Sequence, residues 1–326
     1  MKQYSWKRVC AAFVVTLLFL TVGCSAQKAQ LHNDKPIPLS QSTGLTPSYR
    51  QEQAIPNGTN KLRHAASSSG YTPPPPTPSV AARQAFVYDY EKGLVFSQGG
   101  MTDTLYPAST TKLVTALVVL EHLSLDTVCT AGDELSLVAA NASSAYLEKG
   151  KSYTVSQLLS GMLLPSGCDA SYTLAAHVGR KLDPTVTTVS AAVQVFVNEM
   201  NAWAARQGMT RSQFKNPDGY HASGHYSCMQ DLLTLSILCL RNDTVMGIVG
   251  KTSISGWSNS NQLLYTNSGY YNPACIGLKT GTTGPAGNCL LSAYEVDGRT
   301  VIIGVFGAGT SGGRYAITND LFHTYV

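Results

Sequence analysis

The sequence predicts a mixed α/β fold whose single sheet draws strands from both ends of the folded region and encloses a block of helices. Three observations predict it. Apolar runs of strand character stand near residue 85 and again from residue 274 onward, and five stretches of helical periodicity lie between them. Only 13% of the 326 residues are charged while 44% are hydrophobic, so there is apolar material for a large core and the chain as a whole is not disordered. Strands first, helices next, then strands again is the order of a sheet closed around an insertion.

The folded region starts late. Lys2, Lys7 and Arg8 precede an apolar run from Val9 to Gly23, too short to span a bilayer comfortably, so residues 1–24 read as an export signal. The run ends Leu20-Thr21-Val22-Gly23-Cys24, which resembles a bacterial lipoprotein box with Cys24 as the lipidated residue; Thr21 stands where that pattern prefers Leu. Cleavage after Ala26 and an uncleaved anchor remain open. Residues 25–80 read as a solvated tether, rich in Ser, Thr, Gln and Asn and carrying nine of the fifteen prolines. Its run Pro73-Pro74-Pro75-Pro76 favours extended polyproline II geometry. The net charge of +4 owes most of its excess to the export segment, and without a basic patch elsewhere nucleic acid is not an expected partner.

Residues 81–326 then read in order. Ala85–Tyr90 and Gly93–Phe96 form a hairpin turning at Glu91-Lys92. Helices are expected from Thr110 to about Leu123, over Val155–Leu164, Asp169–Leu182, Ala191–Gln207 and Cys228–Leu240. Strands follow at Cys275–Thr280, Gly287–Glu295 and Thr300–Ala308, with a closing helix over Tyr315–Tyr325.

Three short segments carry the chemistry. In Ser109-Thr110-Thr111-Lys112 a hydroxyl and an amine lie three residues apart at a helix start, where they can meet. The unpaired N–H groups there favour developing negative charge. A serine hydroxyl is a poor nucleophile until a base takes its proton, and a lysine serves only when burial or a second cation lowers its pKa. Alone, this spacing also fits a helix cap with an exposed lysine. Leu164-Pro165-Ser166-Gly167-Cys168-Asp169 is a turn between two apolar helices, and Lys279-Thr280-Gly281-Thr282 ends a strand.

In this order the three resemble the S-x-x-K, S-x-N and K-T-G motifs of active-site serine penicillin-interacting enzymes. Pro107-Ala108-Ser109, Leu163-Leu164-Pro165-Ser166-Gly167, Met200-Asn201, Asn216-Pro217-Asp218-Gly219, Gly224-His225-Tyr226-Ser227, Gly277-Leu278-Lys279-Thr280-Gly281 and Ala286-Gly287 are similar to the D-alanyl-D-alanine carboxypeptidase family over about residues 81–326. The resemblance implies an antiparallel sheet flanked by helices with an inserted helical subdomain. It implies that Ser109 attacks the bond between two terminal D-alanines of a peptidoglycan stem peptide. Lys112 would be the general base, its pKa lowered by Lys279, and Ser166 the proton relay. Backbone N–H groups of Ser109 and Thr282 would form the oxyanion hole. Lys279, Thr280, Gly281 and Thr282, with Arg314 before the last helix, would hold the substrate, and β-lactams would acylate Ser109. No metal or cofactor is expected. His221 and His225 sit in no motif that sets a histidine against a nucleophile, and a structural role is expected for them.

Cys168 stands where the family has Asn, and a thiol is a weak substitute for an amide that both donates and accepts. No room follows the closing helix for the extra β-rich domain and C-terminal anchor of many relatives, so attachment to the extracytoplasmic membrane face is expected through the N-terminus. Six cysteines, Cys129, Cys168, Cys228, Cys239, Cys275 and Cys289, fall in the folded region, several of them in apolar runs expected to be reduced core. Two other functions use the same features. A β-lactamase needs a carboxylate over the acyl-enzyme, for which Glu199 is the candidate, although its surroundings read as helix. A catalytically weak wall-binding or β-lactam-sensing lipoprotein is favoured only by Cys168.

Overall fold

In the computed structural model the described residues are 80–326; the expected export segment, Cys24 and the tether lie outside them. Strands β1 (Gln84–Asp89) and β2 (Gly93–Gln98) form the N-terminal hairpin. The chain then passes through a 3-10 turn, Ala108–Thr110, into helix α1 (Thr111–His122). Strands β3 (Val128–Thr130) and β4 (Ser152–Thr154) pair as a small ribbon at the base of α2 (Val155–Leu163), α3 (Cys168–Leu182) and α4 (Val189–Arg206). Next come α5 (Met229–Leu240), α6 (Asp243–Val249) and the two-residue strands β5 (Ser253–Ile254) and β6 (Trp257–Ser258). Long strands β7 (Cys275–Thr283), β8 (Gly287–Val296) and β9 (Arg299–Ala308) precede α7 (Ser311–Tyr325).

The main sheet has the order β2-β1-β9-β8-β7, antiparallel throughout, so the first two strands lie beside the last. The seam is the β1·β9 pairing, where Val87 faces Ile303, and Arg299 closes its end with a 2.6 Å ion pair to Asp89. Both faces are covered. Leu291, Ala293, Ile302 and Phe306 pack into the helical block; Leu290, Tyr294, Ile303 and Val305 pack under α7. Burial on two sides explains why β9 reads as an unbroken apolar run from Val301 to Ile303.

Helix starts show how the block is set. Thr154 and Gln157 make a reciprocal capping box on α2, and Thr188, Asn242 and Thr310 cap α4, α6 and α7. Helix α1 has no side-chain cap and is fed by the 3-10 turn.

The expected elements are present, with bounds shifted where tertiary contacts intervene. Ser109 lies in the 3-10 turn, two residues before α1 begins. Strand β7 runs on through Gly281 to Thr283 because Gly281 pairs with Cys289 and Thr283 with Gly287. The last helix begins four residues early, at Ser311, which puts Arg314 in its first turn. Helix α6 and the short strand pairs were too brief to read from periodicity.

Candidate active site

The nucleophile candidate is placed by packing from two sides. Gly281 on β7 runs so close to the 3-10 turn that a Cβ there would lie 2.9 Å from the backbone nitrogen of Ser109. Gly219, at φ +79°, backs onto the same turn, and a Cβ there would overlap the carbonyl of Ala108. Ala108 itself holds φ 48°, Ser166 φ 67° and Leu278 φ 86°. These three of the six described non-glycine residues with left-handed φ stand beside Ser109, in the second motif and just before Lys279. Strain of this kind persists where surrounding structure enforces it, and functional sites are where it gathers.

Ser109, Lys112, Ser166 and Cys168 converge in this cleft. Lys112, fully buried, brings its amine to 2.9 Å from Ser109 Oγ, 2.7 Å from the carbonyl oxygen of Asp218 and 3.4 Å from Cys168 Sγ. Ser166 is buried, and its Oγ has no hydrogen-bond partner. Burial pushes the Cys168 thiol up to about 11, with Lys112 pulling down and Asp218 pushing up, so the thiol is neutral at ordinary pH.

The third motif closes the cleft from the sheet side. Lys279 is 1% exposed, and its amine donates to the carbonyl oxygen of Thr280 at 3.2 Å. Burial, and then the charges of Lys112 and Arg314, drive its pKa well below the ordinary lysine value. Thr280 Oγ1 shares a 2.6 Å hydrogen bond with Ser260. Arg314 is buried and donates from Nη1 to Gly281 O at 3.2 Å and Thr282 Oγ1 at 3.0 Å, while its ring neighbour Tyr315 donates to Ser260 O. Every candidate from Ser109 to Arg314 thus lies in or beside one cleft; Cys24 is outside the described residues.

Two contributors were not foreseen. Asp218 enters through its carbonyl, which no sequence pattern marks, although the Asn216–Gly219 turn that carries it was noted. Ser260 bridges β7 and α7 from a polar stretch without periodicity.

The histidines and Glu199 are placed elsewhere. His225 is buried and hydrogen-bonds Thr111 Oγ1 at 3.0 Å; His221 stacks edge-on against Tyr106. Glu199 sits in α4 and pairs with Arg206 at 2.8 Å and His122 at 3.4 Å, at the far end of α1. Twelve helical residues put that end roughly 18 Å from Ser109. Glu121, His122 and Glu199 form a described grouping of metal-ligand type, and Arg206 already pairs with both carboxylates while Trp203 donates to Glu121.

Residues 71–310 match the family model described as D-alanyl-D-alanine carboxypeptidase. The chain is 33% identical over 258 residues to the D-alanyl-D-alanine carboxypeptidase of Streptomyces sp. (strain K15), covering 73% of this chain and 85% of that one. It is 30% identical over 250 residues to the carboxypeptidase DacF of Bacillus subtilis, covering 72% of this chain and 59% of the relative. The crystal structure of the Streptomyces DD-transpeptidase is similar with a TM-score of 0.68 at 30% identity, over 76% of this chain and 97% of that one. Penicillin-binding protein D2 of Listeria monocytogenes, solved with cefotaxime bound, gives a TM-score of 0.64 at 30% identity over 76% and 98% of the two chains.

Proposed function

The chain belongs to the D-alanyl-D-alanine carboxypeptidase family, and on that premise we propose that Ser109 is its nucleophile, Lys112 its general base and Ser166 its proton relay. The protein is a serine-type hydrolase that removes the terminal D-alanine from peptidoglycan stem peptides and binds penicillin.

The set of contacts at the Lys112 amine carries the assignment of roles. A neutral amine has two N–H groups and one lone pair. The Asp218 carbonyl can only accept, so it takes one N–H; the neutral Cys168 sulfur is a weak acceptor for the other. In the deprotonated form that a general base must take, the lone pair is left for Ser109, whose Oγ lies 2.9 Å away. As Ser109 Oγ attacks the carbonyl carbon between the two D-alanines, its proton passes to Lys112. The oxyanion falls to the backbone N–H groups of Ser109 and Thr282. The C–N bond then breaks as Ser166 gives its hydroxyl proton to the leaving amine and regains one from Lys112. Water repeats the sequence on the acyl-enzyme. Lys279, Thr280, Thr282 and Arg314 hold the substrate carboxylate, whose arrival favours a proton on Lys279. A β-lactam offers the same carbonyl and carboxylate and acylates Ser109.

Release of D-alanine from a peptide ending in D-Ala-D-Ala, together with labelling by a fluorescent penicillin, tests this reading. Both should vanish in Ser109→Ala. Undiminished release from that variant sinks the assignment. The place of Glu199 in an ion pair at the far end of α1 speaks against β-lactamase turnover.

Residues 81–326 form the catalytic unit in this reading, 25–80 the tether and 1–24 the export signal. The family's cell-wall substrate accords with work outside the cytoplasm. Lipid attachment at Cys24 rests on the sequence, and loss of radiolabelled palmitate from Cys24→Ser is its measurement.

A further inference from the structure

Asp218 does more than lend a carbonyl. It lies in the Asn216–Gly219 turn, which Asn216 locks by accepting from Gly219 N at 2.8 Å and donating to Tyr220 O at 2.7 Å. The turn docks on α1 through two successive carbonyls: Pro217 O accepts from Thr115 at 2.6 Å and Asp218 O from Lys112 at 2.7 Å. The carboxylate is 1% exposed. One oxygen accepts from Tyr220 N at 3.0 Å; the other, Oδ2, is buried without any partner.

A carboxylate oxygen buried and unpaired is costly and survives where something else depends on it. The neighbouring Asp169 makes the contrast. Its two oxygens accept from Ser144 Oγ and the backbone nitrogens of Ala145, Leu147 and Ala170, and it serves to pin a loop to α3. Asp218 has no such set of donors.

We propose that Asp218 is a positioning residue of the acylation step: through its carbonyl it aims the Lys112 amine at Ser109, and its buried carboxylate is the counter-charge for the ammonium that forms there when Ser109 gives up its proton. This rests on the catalytic roles proposed above. The groups around it fit. Lys112 meets its carbonyl from α1, Cys168 and Tyr172 lie near its carboxylate from α3, and Lys215, His221 and His225 belong to its own loop. Arg314, behind Lys279 of β7, supplies positive charge on the sheet side of the site. His225 is held neutral by burial, and the thiol and phenol are also neutral. As the proton moves from Ser109 to Lys112, positive charge grows next to a carboxylate already in place, without reorganisation. The proton balance of acylation is unchanged; only the stability of the protonated amine is altered.

Asp218→Asn keeps the backbone carbonyl and the side-chain shape but removes the charge. The full chain is assayed for the pH dependence of acylation by a chromogenic cephalosporin and for D-alanine release. The acid limb of the acylation profile should move to lower pH by about one unit, because a buried anion that favours a cationic site has been removed. The plateau rate should fall about tenfold or more. Asp218→Glu should move the limb back toward wild type. A purely structural role would lower the fraction of labelled enzyme and leave the limb in place. Should Asp218→Asn not fold, Asp218→Ser, which leaves room for a water, takes its place in the same assay. An unmoved limb in an active, uncharged variant overturns the role of Asp218 alone; absent D-alanine release in wild type would instead sink the reading on which it rests.

Discussion

The imidazole of His225 donates from Nε2 to the hydroxyl of Thr111 at 3.0 Å, one residue from the general-base candidate. Its other nitrogen accepts from the backbone of Lys215 at 3.2 Å, which fixes the neutral tautomer. Burial lowers its pKa to about 4. The unfolded chain takes up a proton near pH 6.5 that the folded one refuses until about pH 4. The stabilising contribution is therefore complete above pH 6.5 and drains away as pH falls to 4, about 3 kcal/mol in all. Urea denaturation between pH 4 and 7 should show this slope, and His225→Asn should flatten it. An equal slope in both would refute the account.

Lys279 sets stability against activity. Its pKa is well below 10.5 in the folded protein, because of burial first and then Lys112 and Arg314. Between that value and 10.5 the unfolded chain holds the extra proton, so folding is penalised at neutral pH and the penalty fades as pH rises. Lys279→Met should raise Tm at pH 7 by about 2–4 °C, with the gap to wild type closing toward pH 10. It should also cut penicillin acylation by about a hundredfold or more. A lower Tm at pH 7 contradicts this.

Arg314 contacts Thr282 and Gly281, the segment proposed to hold a carboxylate. Arg314→Gln should lower kcat/KM for a D-Ala-D-Ala peptide by about 10- to 100-fold, as expected for a charge-assisted contact of about 1.5–3 kcal/mol. The same peptide with a C-terminal amide should show almost no difference between the two enzymes. Equal losses on both substrates would place Arg314 in scaffold support only.

All six cysteines of the described residues are free and buried. Burial raises Cys129, Cys168, Cys228 and Cys289 to about 11 and Cys275 to about 12, and pushes Cys239 higher still. Reactivity follows the thiolate. None of the six should alkylate with iodoacetamide at pH 8 in the native state, and all should after denaturation, as mapped by peptide mass spectrometry. Native labelling of Cys168 would show the second motif to be open to solvent.

Much of this was legible in residue order. Positions 109 and 112 meet because three residues nearly complete a helical turn, and the strand–helix–strand order foretold a sheet with strands from both ends of the folded region. What could not be read has a common cause: it depends on backbone atoms or on contacts between distant segments. The carbonyl of Asp218 has no side-chain signature. Ser260 reaches Thr280 only once β7 and α7 are packed. The left-handed backbone at Ala108 and Leu278 runs against residue preference and is imposed from outside. Strand β7 outlasted its expected end at Thr280 because β8 supplied a partner, and Ser109 fell in a 3-10 turn because Gly219 and Gly281 press on it from either side.

The sheet's seam has one more consequence. Ser109 follows the hairpin that opens the folded region, whereas Lys279 arrives about 170 residues later on an edge strand, β7, whose partner in the sheet is β8. A chain emerging N-terminus first therefore has its nucleophile long before it has a cleft. Reactivity toward a β-lactam should switch on at the last closure, so covalent penicillin capture doubles as a clock for completed folding, readable in a pulse-chase without any antibody. It also guards the unfinished polypeptide, whose serine is until then no more reactive than any other.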